Sequence, residues 1–199
     1  MRLARLLVLT DRRLCHRPLV EVVARAVDGG AIAVVLREKD LAAAPRRHLA
    51  DQLQDVLAAV DGLLILAGGS LSGPAVHLAA AEPVPFPRPR LVGRSCHDAA
   101  EVTRAAQDGC DWVTGGPWSL TPSKPGYGPP LGPLGLAALT AVPGAPPLFA
   151  LGGVQPSAVG PCREAGAHGV AVMGPVMRAD EPETVVAAYL SRLHQEPVA

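Results

Sequence analysis

Asparagine is absent from this 199-residue chain, and lysine occurs only at Lys39 and Lys124. All other basic positions are arginine, so the two lysines either stand by chance or mark places where a compact, flexible ammonium matters. Charge of one sign is also missing: 18 basic and 18 acidic residues cancel. A general nucleic-acid or acidic-membrane binder carries a basic excess, so neither partner is expected. Small anionic substrates stay open, because a phosphate needs only a local site. The four cysteines, Cys15, Cys96, Cys110 and Cys162, form no Cys-x-x-Cys pair. No His, Cys and Asp cluster has zinc-binding spacing. Reduced thiols and a cytoplasmic location are the simple expectation. Residues 1–10 are apolar but too short to span a bilayer, and Asp11-Arg12-Arg13 ends the run. It reads as a first β-strand. No Gly-x-Gly-x-x-Gly follows it, which disfavours the alternative of an open, doubly wound nucleotide-binding sheet.

What is present is a repeated pattern. Hydrophobic residues make up 49% of the chain, enough for one sizeable core, and the length suits a single domain over 1–199. Short apolar runs at 5–10, 31–36, 63–66, 75–78, 90–93, 112–114, 147–150 and 169–173 alternate with amphipathic stretches. Several runs are nearly continuous in Val, Leu and Ile, as parallel strands buried on both faces require. Helices are expected at 19–27, 46–59, 98–107, 134–142, 157–165 and 183–194. Asp98 and Glu101 have capping-box spacing. Gly109 and Gly166 are placed as helix stops. Together these predict a (β/α)8 TIM barrel at the small end of the size range. The Gly- and Ser-rich segment 67–74 is too short for a normal crossover helix, so the helix after strand three is expected to be missing or shortened. The Pro-rich segment 79–89 also reads as less than a full helix.

In such barrels the chemistry lies at the carboxyl ends of the strands. Arg37 and Lys39 are two apart at the second strand end, so alternation sends both to one side, with Glu38 facing away. Two cations there suit a diphosphate. Gly152 and Gly153 follow strand seven, and Met173-Gly174 ends strand eight. Those loops commonly hold phosphate through backbone N–H groups, which glycine lets approach closely. The loop Thr121-Pro122-Ser123-Lys124-Pro125 offers two hydroxyls and an ammonium on a proline-stiffened frame. His77, alone on a strand, reads as a packed residue, and His97 as local to a helix start.

Leu36-Arg37-Glu38-Lys39-Asp40, Ser95-Cys96-His97, Gly116-Pro117, Thr121-Pro122-Ser123-Lys124-Pro125, Ala150-Leu151-Gly152-Gly153-Val154 and the run from Ala165 to Met173 occur in this order along nearly the whole chain. Together they resemble the thiamine-phosphate synthases and their relatives, the thiazole tautomerases. The resemblance implies an enzyme of thiamine biosynthesis. It would be a transferase that couples hydroxymethylpyrimidine diphosphate to hydroxyethylthiazole phosphate and releases pyrophosphate. Arg37, Lys39 and Ser95 match diphosphate contacts, Lys124 with Thr121 and Ser123 the loop spanning both substrates, and Gly153 with Met173-Gly174 the thiazole-phosphate cradle. The family magnesium site is altered. Ala67-Gly68 stands where the synthases have Asn-Asp, so one Mg2+ carboxylate is absent, and Glu82 aligns with the other. Val35 fills the place of a Gln. This departure motivates two alternatives, a tautomerase-type isomerase and a non-catalytic binder of thiazole phosphate. Pro117 stands where the tautomerases carry their acid–base His, leaving His97 as the nearby substitute. No pattern sets an oligomeric state.

Overall fold

The structure, a computed structural model, describes residues 3–68, 73–120 and 129–195. Eight parallel strands close into a barrel in sequence order. They are β1 (Leu6–Leu9), β2 (Ala33–Leu36), β3 (Leu63–Ala67), β4 (Ala75–Leu78), β5 (Leu91–Cys96), β6 (Trp112–Gly115), β7 (Leu148–Leu151) and β8 (Gly169–Val172). β8 pairs back onto β1, Leu6 opposite Val170, which rules out the open sheet. Each apolar run in the sequence is a strand, because a strand covered by helices outside and by its neighbours inside must be apolar on both faces.

Alternation sorts the strand residues into two cores. Leu7, Leu9, Val35, Ile65, Trp112 and Phe149 point into the barrel, with Ala33, Ala67, Ala75 and Ala171 between them. The alanines leave volume for the indole and the phenyl ring. Gly93 does the same more sharply. It lies between His77 on β4 and Trp112 on β6 in register, and a Cβ on it would stand 2.0 Å from the indole. The two rings therefore stack across the glycine, 6.1 Å apart. Gly93→Ala is expected to destabilise by about 1–3 kcal/mol through overpacking, read from urea unfolding. An unchanged midpoint would mean that the indole can shift freely.

The outward residues, Val34, Leu36, Leu66, Val76, Leu78, Val92, Val113, Val170 and Val172 among them, pack under the helices. These are α1 (Leu19–Asp28), α2 (Ala43–Ala58), α3 (Ala99–Gln107), α4 (Gly132–Thr140), α5 (Val159–Glu164), α6 (Gly174–Met177) and α7 (Pro182–His194). Asp98 caps α3, accepting from the Glu101 amide at 2.8 Å. The Glu101 carboxylate reaches one residue further back than a capping box does, to the amide and Nδ1 of His97. Gly109 and Gly166 take left-handed conformations (φ +65 and +89), ending α3 and α5 as placed from the sequence. The helix expected at 157–165 is α5, within two residues at each end. A 3-10 turn at Pro156–Ala158 precedes α5, because Pro161 has no N–H to return to the Ser157 carbonyl. The short α6 was not foreseen.

Residues 68–74 join β3 to β4, and 69–72 of these lie outside the described residues. The β4–β5 connection, 79–90, holds no helix. Arg94 braces it from below. Its side chain is 2% exposed on the outer face of β5. Nη1 donates to the carbonyls of Ala80 (2.9 Å) and Glu82 (2.7 Å), and Nη2 to Asp108 (2.9 Å).

Candidate active site at the barrel mouth

The end of β2 separates its charges by strand alternation. Arg37 anchors its amide on Thr10 Oγ1 (3.0 Å) and sends Nη1 to Met173 Sδ (2.9 Å). The guanidinium thus crosses over β1 from the end of β2 to the end of β8. Glu38 turns outward, as expected, and is buried against Arg12 at 2.9 Å. Arg12 also pairs with Asp40 at 2.7 Å and holds that carboxyl well below its usual value, at about 2. The Arg12 clamp fixes the backbone on both sides of Lys39, while the Lys39 ammonium stays with the mouth.

Beside Lys39 opens a cavity of about 410 Å³, lined also by Arg46, Ala67, Gly68 and Glu82. Arg46 enters from α2 and is almost fully buried. Its Nη2 donates to the carbonyl of Leu36 (3.3 Å) and to that of Ala67, tying the ends of β2 and β3 together. Burial lowers its pKa, offset in part by Glu38 and Glu82. Glu82 accepts from the Ala79 amide at 3.0 Å. Its carboxylate lies 3.4 and 3.7 Å from where a Cβ on Gly68 would stand. Glu82 therefore occupies the space beside the position whose acidic side chain is absent.

Ser95, half-buried at the inner face of β5, meets His77 Nε2 at 3.1 Å. Thr114 Oγ1 meets the same nitrogen at 3.3 Å. Burial first, then the charges of Lys39 and Arg37, push the His77 pKa down to about 3. The ring is neutral in the folded protein, while in the unfolded chain it protonates near 6.5. Above that value both states are neutral and His77 contributes nothing to pH dependence. Below it the unfolded chain binds the extra proton, so stability falls as pH drops from 6.5 toward 3. Replacing His77 by Gln is expected to flatten that part of the stability curve, measured by urea unfolding from pH 7 to pH 4.

On the opposite side, Gly152 and Gly153 follow β7 with φ of +93 and +69. A Cβ on Gly153 would stand 2.1 Å from Ser119 Oγ, so the glycine is required by a close approach between loops. Ser119 donates its amide to the Gly152 carbonyl (3.0 Å) and its hydroxyl to the Gly153 carbonyl (2.9 Å). The loop that leaves β6 returns beside its own start, Leu131 N to Pro117 O at 2.8 Å. Tyr189 of α7 holds the far side, its buried hydroxyl donating to the Val154 carbonyl at 2.8 Å. Met173 precedes α6, and Gly174 opens it. β7 and β8 are neighbours, Leu151 opposite Ala171, so the two glycine segments leave the barrel side by side. Thr121, Ser123 and Lys124 lie outside the described residues. Arg37, Lys39, Ser95 and Glu82 share the β2–β5 side, and Arg37 alone reaches Met173.

Two residues of the mouth escape sequence reasoning. Arg46 looks like any helix arginine, and His77 like a packed strand residue. In both cases the contact partners are backbone carbonyls or hydroxyls on other elements, which spacing does not reveal. For the tautomerase alternative, Pro117 has no proton to transfer, and the His97 ring is tied through Nδ1 to Glu101 at 2.9 Å.

A magnesium ion can be tested against the donor set. Among the described residues no three Asp, Glu, His or Cys side chains gather into a metal-holding group. Mg2+ commonly needs only one or two carboxylates when substrate phosphates complete its shell. Glu82 beside Lys39 fits that arrangement and no all-protein cage.

Fold and site define the class as a (β/α)8 barrel enzyme whose polar groups converge at the carboxyl mouth. Residues 6–176 match the family model described as thiamine monophosphate synthase. The thiamine-phosphate synthase of Streptomyces avermitilis is 34% identical over 209 residues, covering 96% of this chain and 94% of that protein. The thiamine-phosphate synthase of Roseiflexus castenholzii is 33% identical over 195 residues, covering 91% and 84%. The thiamine phosphate pyrophosphorylase from Pyrococcus furiosus superposes with a TM-score of 0.82 over 95% of each chain, at 24% identity. The chain belongs to the thiamine monophosphate synthase family. Among the described residues no helix is long and apolar enough to cross a membrane.

Proposed function

We propose that this chain joins hydroxymethylpyrimidine diphosphate to hydroxyethylthiazole phosphate and releases pyrophosphate, with a single-carboxylate magnesium site. The observation that carries this reading is the span of Arg37 from the diphosphate side to Met173 on the thiazole-phosphate side. The diphosphate is placed against Lys39, Arg37 and the Ser95 hydroxyl. Its C–O bond breaks with the electron pair going to the departing oxygen, and the pyrimidine cation left behind is captured by the thiazole nitrogen. Cations fixed before the reaction stabilise the charge on the leaving group at no cost of reorganisation. Bound Mg2+ would add charge neutralisation on the same diphosphate oxygens, held by Glu82. The thiazole phosphate is placed on the backbone of Gly152, Gly153, Met173 and Gly174. Thr121, Ser123 and Lys124 are assigned to the loop between the two substrates.

The test is product formation. Incubation with both substrates and Mg2+ is expected to give thiamine phosphate, quantified chromatographically. Glu82→Gln is expected to raise the Mg2+ concentration for half-maximal rate at least tenfold, about 1.4 kcal/mol, with the KM for thiazole phosphate unchanged. Absence of product at high enzyme concentration would overturn the reading. Stabilisation by thiazole phosphate without turnover would then identify a binder.

A further inference from the structure

We propose that His77 is a positioning residue that sets the direction of the Ser95 hydroxyl, so that Ser95 donates its proton into the mouth. This rests on the proposed contact between Ser95 and the diphosphate. The geometry restricts the ring to one tautomer. Nε2 faces two oxygens, Ser95 Oγ at 3.1 Å and Thr114 Oγ1 at 3.3 Å. Nδ1 is buried and has no hydrogen-bond partner among the described residues. With the proton on Nδ1, a buried N–H would be orphaned and two hydroxyls would compete for one lone pair. With the proton on Nε2, one N–H is shared between two acceptors, a common three-centre arrangement, and only a lone pair lacks a partner. A buried N–H left unmade is the rarer defect. The Nε2–H form therefore prevails.

The consequence lies at Ser95. Its oxygen receives a hydrogen bond from the imidazole, so its own proton is not spent on the ring. The Ser95 hydroxyl has no other hydrogen bond among the described residues, and it is the half-buried member of the trio, with Thr114 buried. Its proton is free for an anion arriving beside Lys39 and Arg37. The groups that face His77 electrostatically are Lys39, Arg37, Glu82 and Arg94. Burial first, and then the cations among them, keep the ring neutral, so it acts by orientation. Trp112 lies at 19° to the ring across Gly93, with centroids 6.1 Å apart.

The experiment has two independent arms. In 15N-histidine-labelled wild-type protein, the His77 ring is expected to show a protonated Nε2 and an unprotonated Nδ1; a proton on Nδ1 would overturn the proposal without any variant. The second arm is calorimetric binding of pyrophosphate with Mg2+ to His77→Phe, His77→Gln, Ser95→Ala and the His77→Phe/Ser95→Ala double variant. His77→Phe keeps the stack on Trp112 but removes the donor, and is expected to weaken pyrophosphate about tenfold. His77→Gln restores an N–H near the Nε2 place and is expected to recover most of the affinity. In the Ser95→Ala background, His77→Phe is expected to cost nothing further. An equal cost in both backgrounds overturns the positioning role and leaves the Ser95 contact standing. Unchanged pyrophosphate affinity in Ser95→Ala removes the contact itself, and the inference with it.

Discussion

Arg37→Ala is expected to lower kcat/KM about a hundredfold or more, and to do so for both substrates. One fixed donor aimed at developing charge is commonly worth that much in a site closed to water. The double effect follows from position. The guanidinium starts at the end of β2, beside Lys39, and ends on Met173 Sδ at the end of β8. It therefore borders the proposed diphosphate place and the proposed thiazole-phosphate place together. Lys39→Ala is expected to raise the KM for the diphosphate substrate alone, since Lys39 lines the cavity with Arg46, Gly68 and Glu82. Arg37→Lys is expected to recover little, because a point charge on a shorter reach does not reproduce the planar fork. The fold is expected to survive all three changes. The Arg37 main-chain N–H donates to Thr10 Oγ1, a bond that none of these three variants removes. Steady-state kinetics with each substrate varied in turn, beside a urea midpoint, separates these outcomes. A loss confined to the diphosphate substrate would show that the span to Met173 has no functional weight.

The fold was legible because its signals are periodic. All eight strands were placed within two residues at their ends, apart from β5, whose last three residues, Arg94, Ser95 and Cys96, carry two polar side chains. Those side chains broke the apolar pattern for physical reasons: Arg94 faces out to brace a loop, and Ser95 faces in toward His77. Glycine stops were equally readable, since only a left-handed residue ends a helix that way. The 3-10 turn ahead of α5 was not readable, because Pro161 removes a donor four residues from its acceptor, a local effect that hydrophobic spacing ignores. The site was legible where the pattern runs along one strand, as at Arg37, Glu38 and Lys39. It was not legible where function depends on two strands meeting. The His77–Ser95–Thr114 trio joins three strands and has no signal in spacing, while Glu82 and the altered position at Gly68 were named only through the family resemblance, their nearness following from the pairing of β3 with β4.

Arg94→Met is expected to cost about 3 kcal/mol or more of folding stability, and to weaken magnesium use at the same time. Methionine keeps the apolar stem, so the loss isolates the guanidinium. Removing it leaves the carbonyls of Ala80 and Glu82 without their donor and Asp108 without its cation. Asp108 is 39% exposed and rehydrates easily once Arg94 is gone, whereas Asp108→Ala leaves a guanidinium that is 2% exposed without its counter-charge and is expected to cost about 3 kcal/mol as well. Urea unfolding of the two single variants reads both losses. The functional half of the effect comes from what the brace holds. A normal barrel unit covers its strands with a helix, but 79–90 is helix-free, and Arg94 supplies from inside the hydrogen bonds that a helix would make to itself. The Glu82 carbonyl is one of them, so the guanidinium sets where the Glu82 carboxylate stands beside Lys39 and Gly68. Loosening it is expected to raise the Mg2+ concentration for half-maximal rate while the KM for thiazole phosphate stays the same. An Arg94→Met protein that keeps its stability and its magnesium requirement would mean that Pro83, Pro85, Pro87 and Pro89 stiffen this connection without help.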